Sequence, residues 1–241
     1  MKRPLFMTGA LMGVAAGAFL LVNTMPGCRP STTKSVVTGD AASKVYVKPG
    51  SYDEFYNFVS GGFSGQLSVY GIPSGRMLRN IPVFSVNPES GWGFSEETKP
   101  MLMTTHGFIP WDDSHHPELS MTDGVPDGKW CFINGNNTPR IALVDLGTFR
   151  TKSIVEIPNC AGNHSSPFTT PNSEYVISGT RFSVPMGDDA ARDVPIESYR
   201  ENFKGTVSFI HPDTVGKMSI AFQIITPGVN FDLSHTGKGP S

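Results

Sequence analysis

Two histidines stand side by side, His115 and His116, inside the run Trp111-Asp-Asp-Ser-His-His-Pro-Glu118. Imidazole is a neutral nitrogen donor that suits copper, zinc, iron and nickel, so the pair is a candidate metal site. Neighbouring side chains of a regular strand point to opposite faces, and both rings can reach one metal only from a bent segment. Ser114 and Pro117 flank the pair and supply such a bend. Asp112 and Asp113 stand just before it, where a carboxylate could accept the second ring N–H of a ligating histidine and fix its tautomer. The residue types leave a plainer reading open, because adjacent histidines are more often solvated surface residues than ligands. No HxH, HExxH or Cys/His spacing lies nearby. The other histidines, His106, His164, His211 and His235, are isolated, and His164 in Gly162-Asn-His-Ser-Ser166 reads most simply as a loop residue.

The elements that must hold these residues are strands. Charged residues make up 17% of the 241-residue chain, while Gly (26) and Pro (20) are abundant, a balance that argues for short strands joined by turns and against a helical bundle. Net charge is −2 and no Lys/Arg stripe follows the N-terminal segment, which excludes a nucleic-acid partner, since phosphate neutralisation supplies most of that affinity. Strands are predicted over 65–70, 77–83, 129–134, 141–145, 153–157, 175–178, 206–210 and 219–225. Only Tyr52 to Val59 has a helical spacing.

A weak repeat runs through them. Lys129-Trp-Cys-Phe-Ile-Asn134, Arg140-Ile-Ala-Leu-Val-Asp145 and Ser153-Ile-Val-Glu-Ile-Pro158 form one unit. Glu174-Tyr-Val-Ile-Ser178, Thr206-Val-Ser-Phe-Ile-His211 and Ile220-Ala-Phe-Gln-Ile224 form the next, and Gln66-Leu-Ser-Val-Tyr70 with Arg79-Asn-Ile-Pro82 is a shorter, earlier version. Repeated strand–turn–strand units of roughly 40 to 65 residues are the pattern of propeller blades. The fold class is thus all-β, part of a β-propeller, with a two-sheet sandwich as the alternative. About three blades cannot close a ring, which needs at least four, so further blades are expected beyond Ser241.

Residues 1–28 have the build of an export signal: Lys2 and Arg3, an apolar run from Leu5 to Val22, then Pro26, Gly27 and Cys28. An uncleaved membrane anchor is the alternative reading, and Gly27-Cys28 faintly resembles a lipoprotein cleavage site. Residues 29–44 are small and polar and read as a linker, with the folded domain over 45–241. Cys131 and Cys160 lie in or beside apolar runs, where buried thiols are the plainer expectation and a disulfide is allowed.

The stretch from Asp113 to Pro185 resembles the N-terminal propeller of nitrous-oxide reductases. The matching pieces are Asp113-Ser-His-His116, Ser120-Met-Thr-Asp-Gly124, Asp127-Gly-Lys-Trp-Cys-Phe-Ile-Asn134, Glu156-Ile-Pro-Asn159, His164 and Pro171-Asn-Ser-Glu-Tyr-Val176. Upstream, Tyr46-Val-Lys-Pro-Gly50, Ser60-Gly-Gly-Phe-Ser-Gly65 and Gly91-Trp-Gly93 also fit, in order. The resemblance implies a seven-bladed ring whose channel holds a sulfide-bridged four-copper cluster through seven histidines, with His115, His116 and His164 as three of the metal ligands. It implies two carboxylates working beside the cluster, Asp113 and, in Asn230-Phe-Asp232, Asp232. It also implies calcium, a dinuclear copper centre in a C-terminal cupredoxin domain, an electron-donor cytochrome or cupredoxin, a homodimer and a periplasmic location. The implied reaction is two-electron reduction of nitrous oxide to dinitrogen and water.

Two departures are visible. Pro117-Glu-Leu119 stands where better-known members have a further histidine, and no twin arginine is present in the N-terminal segment. Both point to the branch of the family that uses general secretion. Two other functions remain open on the residues: an exported, non-catalytic propeller that binds a protein or peptide, and a calcium-dependent propeller hydrolase.

Overall fold

The computed structural model describes residues 40–164, 167–187 and 193–228. The expected export signal, Cys28, Asp232 and His235 lie outside these residues. The chain divides into two compact units, Met1–Tyr46 and Val47–Ser241. Of the first, the described part is the helix α1 (Asp40–Val45), which the end of the expected linker forms. No helix among the described residues is long and apolar enough to cross a membrane.

The second unit is antiparallel β-structure. Strands β1 (Phe55–Ser60), β2 (Gln66–Ile72) and β3 (Met77–Pro82) form a three-stranded meander. A hairpin of two-residue strands, β4 (Met103–Thr104) and β5 (Gly107–Phe108), follows. Strands β6 (Ser114–Thr122), β7 (Val125–Gly135), β8 (Arg140–Asp145) and β9 (Arg150–Glu156) make a four-stranded meander. A second four-stranded meander follows in β10 (Phe168–Thr169), β11 (Val176–Gly179), β12 (Thr206–Pro212) and β13 (Met218–Ile225), with the short helix α2 (Tyr199–Asn202) in the β11–β12 connection.

Burial explains why the middle sheet reads as near-continuous apolar runs. Alternate residues of a strand face opposite sides, and here both sides are covered. Cys131, Ile133, Ala142 and Val144 pack with Leu67, Val69 and Ile81 of the first sheet and with Val83 just after it. Trp130, Phe132, Ile141 and Leu143, one residue out of phase, pack with Val176, Ile210 and Met218 of the third. A two-sheet sandwich buries one face of each sheet. A sheet covered on both faces by its neighbours in sequence is a propeller blade between two others, and the chain is part of a β-propeller.

The structure departs from the predicted elements twice. The 52–59 stretch is no helix: Phe55–Ser60 is β1, paired with β2 from Phe55↔Ile72 to Ser60↔Leu67. Phe55, Phe58 and Val59 mimic a helical i, i+3, i+4 spacing, but an edge strand with one face in solvent places apolar residues with equal freedom. The other departure is β6 itself, which carries the histidine pair and was not among the predicted strands. Its polar residues and Pro117 hide it, and both are tolerated because β6 is an edge strand of its sheet.

Candidate metal centre

The register of β6 against β7 slips by one residue at the histidine pair. Ser114 lies opposite Gly135 and Pro117 opposite Ile133, so His115 and His116 together face the single residue Asn134. This is a β-bulge, which leaves one residue unpaired and re-aims its side chain. The bend expected from Ser114 and Pro117 takes this form, and it lets two adjacent rings share one side of the strand: their centroids lie 4.0 Å apart.

His164 comes to them from the connection between β9 and β10. Its ring centroid is 4.4 Å from that of His115 and 5.4 Å from that of His116. The Nε2 atoms of His115 and His164 are 2.8 Å apart, one donating and the other accepting. One ring nitrogen from each of the three residues can be chosen so that all lie within 4.8 Å of one another, and all three residues are half-buried. Two nitrogens on one ion at about 2 Å each are separated by at most about 4 Å. The set therefore fits one ion after small ring movements, or two neighbouring ions. Three imidazoles and no charged donor suit a transition metal of the kind that imidazole binds: copper, zinc, iron or nickel.

The backbone around the pair is held from several directions. Ser114 Oγ donates to the Gln66 carbonyl (2.7 Å) and Ser114 N–H to that of Gly62 (3.0 Å), fastening the start of β6 to the Gly61–Gly65 turn of the first sheet. That turn requires glycine at 65, because φ is +66° and a Cβ would overlap Ser85 Oγ and the Asp112 carbonyl oxygen. Asn134 is fully buried; its Oδ1 accepts the His116 N–H (2.8 Å) and its Nδ2 donates to the Asn163 carbonyl (2.7 Å).

The two aspartates before the pair have separate lives. Asp112 is fully buried and its carboxylate is taken up by the β7–β8 turn: it accepts Asn137 N–H (3.0 Å) and the Thr138 hydroxyl and lies 3.5 Å from Arg140 Nη2. Burial pulls Arg140 below its ordinary pKa, and Asp112 opposes that shift. Asp113 is also buried, and its Oδ2 accepts from Asn136 Nδ2 (3.2 Å), while its Oδ1 has no hydrogen-bond partner. Such an atom marks unspent acceptor capacity. Of the remaining histidines, His106 sits exposed in the β4–β5 turn, and His211 on β12 pairs Nδ1 with the Glu174 carbonyl oxygen (2.9 Å). Cys131 and Cys160 lie in different core clusters, and burial pushes the Cys131 thiol far up.

Sequence reasoning missed two residues of this neighbourhood. Arg140 reads as the polar start of an apolar strand, and nothing in the sequence marks it as wholly buried. Asn134 closes the apolar run Trp130–Ile133, and a polar residue ending such a run is the one available signal.

Fold and site together define a class: a β-propeller portion with three histidines from two consecutive blades gathered at one point. No family model matches the chain. In sequence it is a relative of the nitrous-oxide reductases. It is 35% identical to that of Pseudomonas fluorescens over 94% of this chain and 35% of the relative. It is 34% identical to that of Stutzerimonas stutzeri over 83% of this chain and 31% of the relative, and 30% identical to that of Ralstonia nicotianae over 98% and 38%. The chain spans about a third of the length of the curated relatives it matches.

Proposed function

We propose that this chain is the part of an exported nitrous-oxide reductase that gives three histidine ligands, His115, His116 and His164, to its copper cluster. The observation that carries the reading is their convergence although 48 residues separate His116 from His164, in a chain whose sequence relatives are named for this reaction.

Nitrous oxide is a weak ligand and kinetically inert, and copper held by several imidazoles supplies the binding site and the electron pair for its conversion, with two protons, to dinitrogen and water. The protein residues do the rest. The bulge aims His115 and His116 to one side, and the connection between β9 and β10 brings His164 to them, so the three rings would hold the metal together. Asp113, with Oδ1 unspent, is assigned to accept a ring N–H or a water proton beside the site. Asp232 is assigned the same kind of role by resemblance alone. Electrons come from a cytochrome or cupredoxin donor, and the protein works in the periplasm.

The test is made in a cell producing a reductase that contains this chain, together with its copper-loading machinery. Replacing His116 by Ala is expected to abolish nitrous-oxide consumption and the absorption of the cluster. The isolated 241-residue chain with added copper is expected to consume none, because three histidines cannot complete a cluster that needs seven. Unchanged consumption by the His116→Ala protein would overturn the reading.

A further inference from the structure

Asn134 is the one residue opposite the bulge, and its side chain is occupied in an unusual way. It is fully buried at the end of the apolar run Trp130–Ile133. A buried amide is costly unless satisfied, and this one is bonded to backbone at both its oxygen and its nitrogen. Its Oδ1 takes the N–H of His116 and its Nδ2 gives to the carbonyl of Asn163, the residue before His164. A backbone donor on one end and a backbone acceptor on the other leave the amide a single orientation.

Asn163, buried as well, extends the brace. Its amide nitrogen faces the carbonyls of Gly135 and Thr138 (3.1 and 3.2 Å) and its oxygen faces the Ser178 hydroxyl (3.2 Å). The segment that carries His164 is thereby tied to the β7–β8 turn of one blade and to β11 of the next.

We propose that Asn134 is a positioning residue of the histidine site: a single amide that sets the distance between the two segments bearing the ligands, without touching the metal. The metal side of this inference rests on the copper reading above, and the amide side does not. Asn134→Asp divides the two halves of the clamp, since the carboxylate still accepts the His116 N–H but meets the Asn163 carbonyl with repulsion.

The experiment titrates Cu(II) into the full 241-residue chain and follows affinity and the electron paramagnetic resonance signal. Asn134→Asp is expected to weaken Cu(II) binding by about 10- to 100-fold, the range found for groups that orient ligands. Its signal is expected to lose one coordinated nitrogen and to match that of His164→Ala. Thr180→Val, which removes a buried hydroxyl bonded to Thr206 in the third sheet, is expected to change neither. Parental affinity and signal in Asn134→Asp would overturn the proposal, as would an equal loss in Thr180→Val. A metal-free arm needs no variant: scalar couplings across hydrogen bonds, from His116 N to Asn134 Cγ and from Asn134 Nδ2 to the Asn163 carbonyl carbon, are expected in the parent chain. Their absence would overturn the clamp. If the parent binds no Cu(II) through its histidines while both couplings are present, the copper reading fails and the clamp stands.

Discussion

Asp112 and Asp113 differ by one position and by almost everything else. Asp112 is spent on structure: with Arg140 it forms a pair whose side chains are 0% and 1% exposed. Removing one partner of such a pair leaves a buried charge uncompensated, at a cost of about 3–5 kcal/mol. Asp112→Ala is therefore expected to lower the urea midpoint by that equivalent, and Asp112→Asn with Arg140→Met to recover much of it. A single variant within about 1 kcal/mol of the parent would show the pair to be idle. Asp113 keeps Oδ1 unbonded, and its replacement by Asn is expected to act on the histidine site more than on stability. Residue type and spacing alone point to His115 and His116 and to Asp112 and Asp113 without choosing between the two aspartates; the choice of Asp113 rests on the resemblance. His164 came only from resemblance, because an isolated histidine in a polar loop carries no local signal of what it will meet. Arg140 and Asn134 were illegible as site neighbours, because burial of a polar side chain depends on contacts from the first and third sheets.

Among the elements, the strands with both faces covered were legible, because their apolar runs are long. β6 was not, since the bulge that makes the site also breaks the period-2 pattern by which a strand is read. The bend itself was readable from Ser114 and Pro117, though its form as a one-residue slip against Asn134 was not. β1 failed for the opposite reason, an accidental helical spacing on an edge strand. Turn chemistry offers a test at this scale. In the β12–β13 hairpin, Asp213 Oδ1 accepts the N–H groups of Lys217 (2.8 Å) and Val215 (3.0 Å). The Lys217 N–H leads the contributions that hold this carboxyl below its ordinary 3.8. A carboxyl whose folded pKa is depressed contributes stability above its unfolded pKa and loses it as pH falls through the folded value. Thermal midpoints measured from about pH 6 downward are expected to fall on the acid side in the parent and to fall less in Asp213→Asn. Identical acid limbs would remove Asp213 from the account of the hairpin.

At the scale of the whole molecule, the middle sheet is the keystone, gripped by the first sheet through Ile133 and Val144 and by the third through Phe132 and Leu143. Phe132→Ala is expected to cost about 3–5 kcal/mol in chemical denaturation, since the core between the middle and third sheets collapses only in part into the gap. It is also expected to weaken copper binding, because the three histidines sit on β6 and on the β9–β10 connection, segments that this packing holds in step. The central claim is that His115, His116 and His164 bind copper together. Its most direct test is X-ray absorption at the copper edge on the chain loaded with one equivalent of copper, with the parent compared to the three single Ala variants. Imidazole nitrogens are expected at about 2 Å in the parent, with one fewer in each variant. A parent spectrum that none of the three substitutions alters would contradict it.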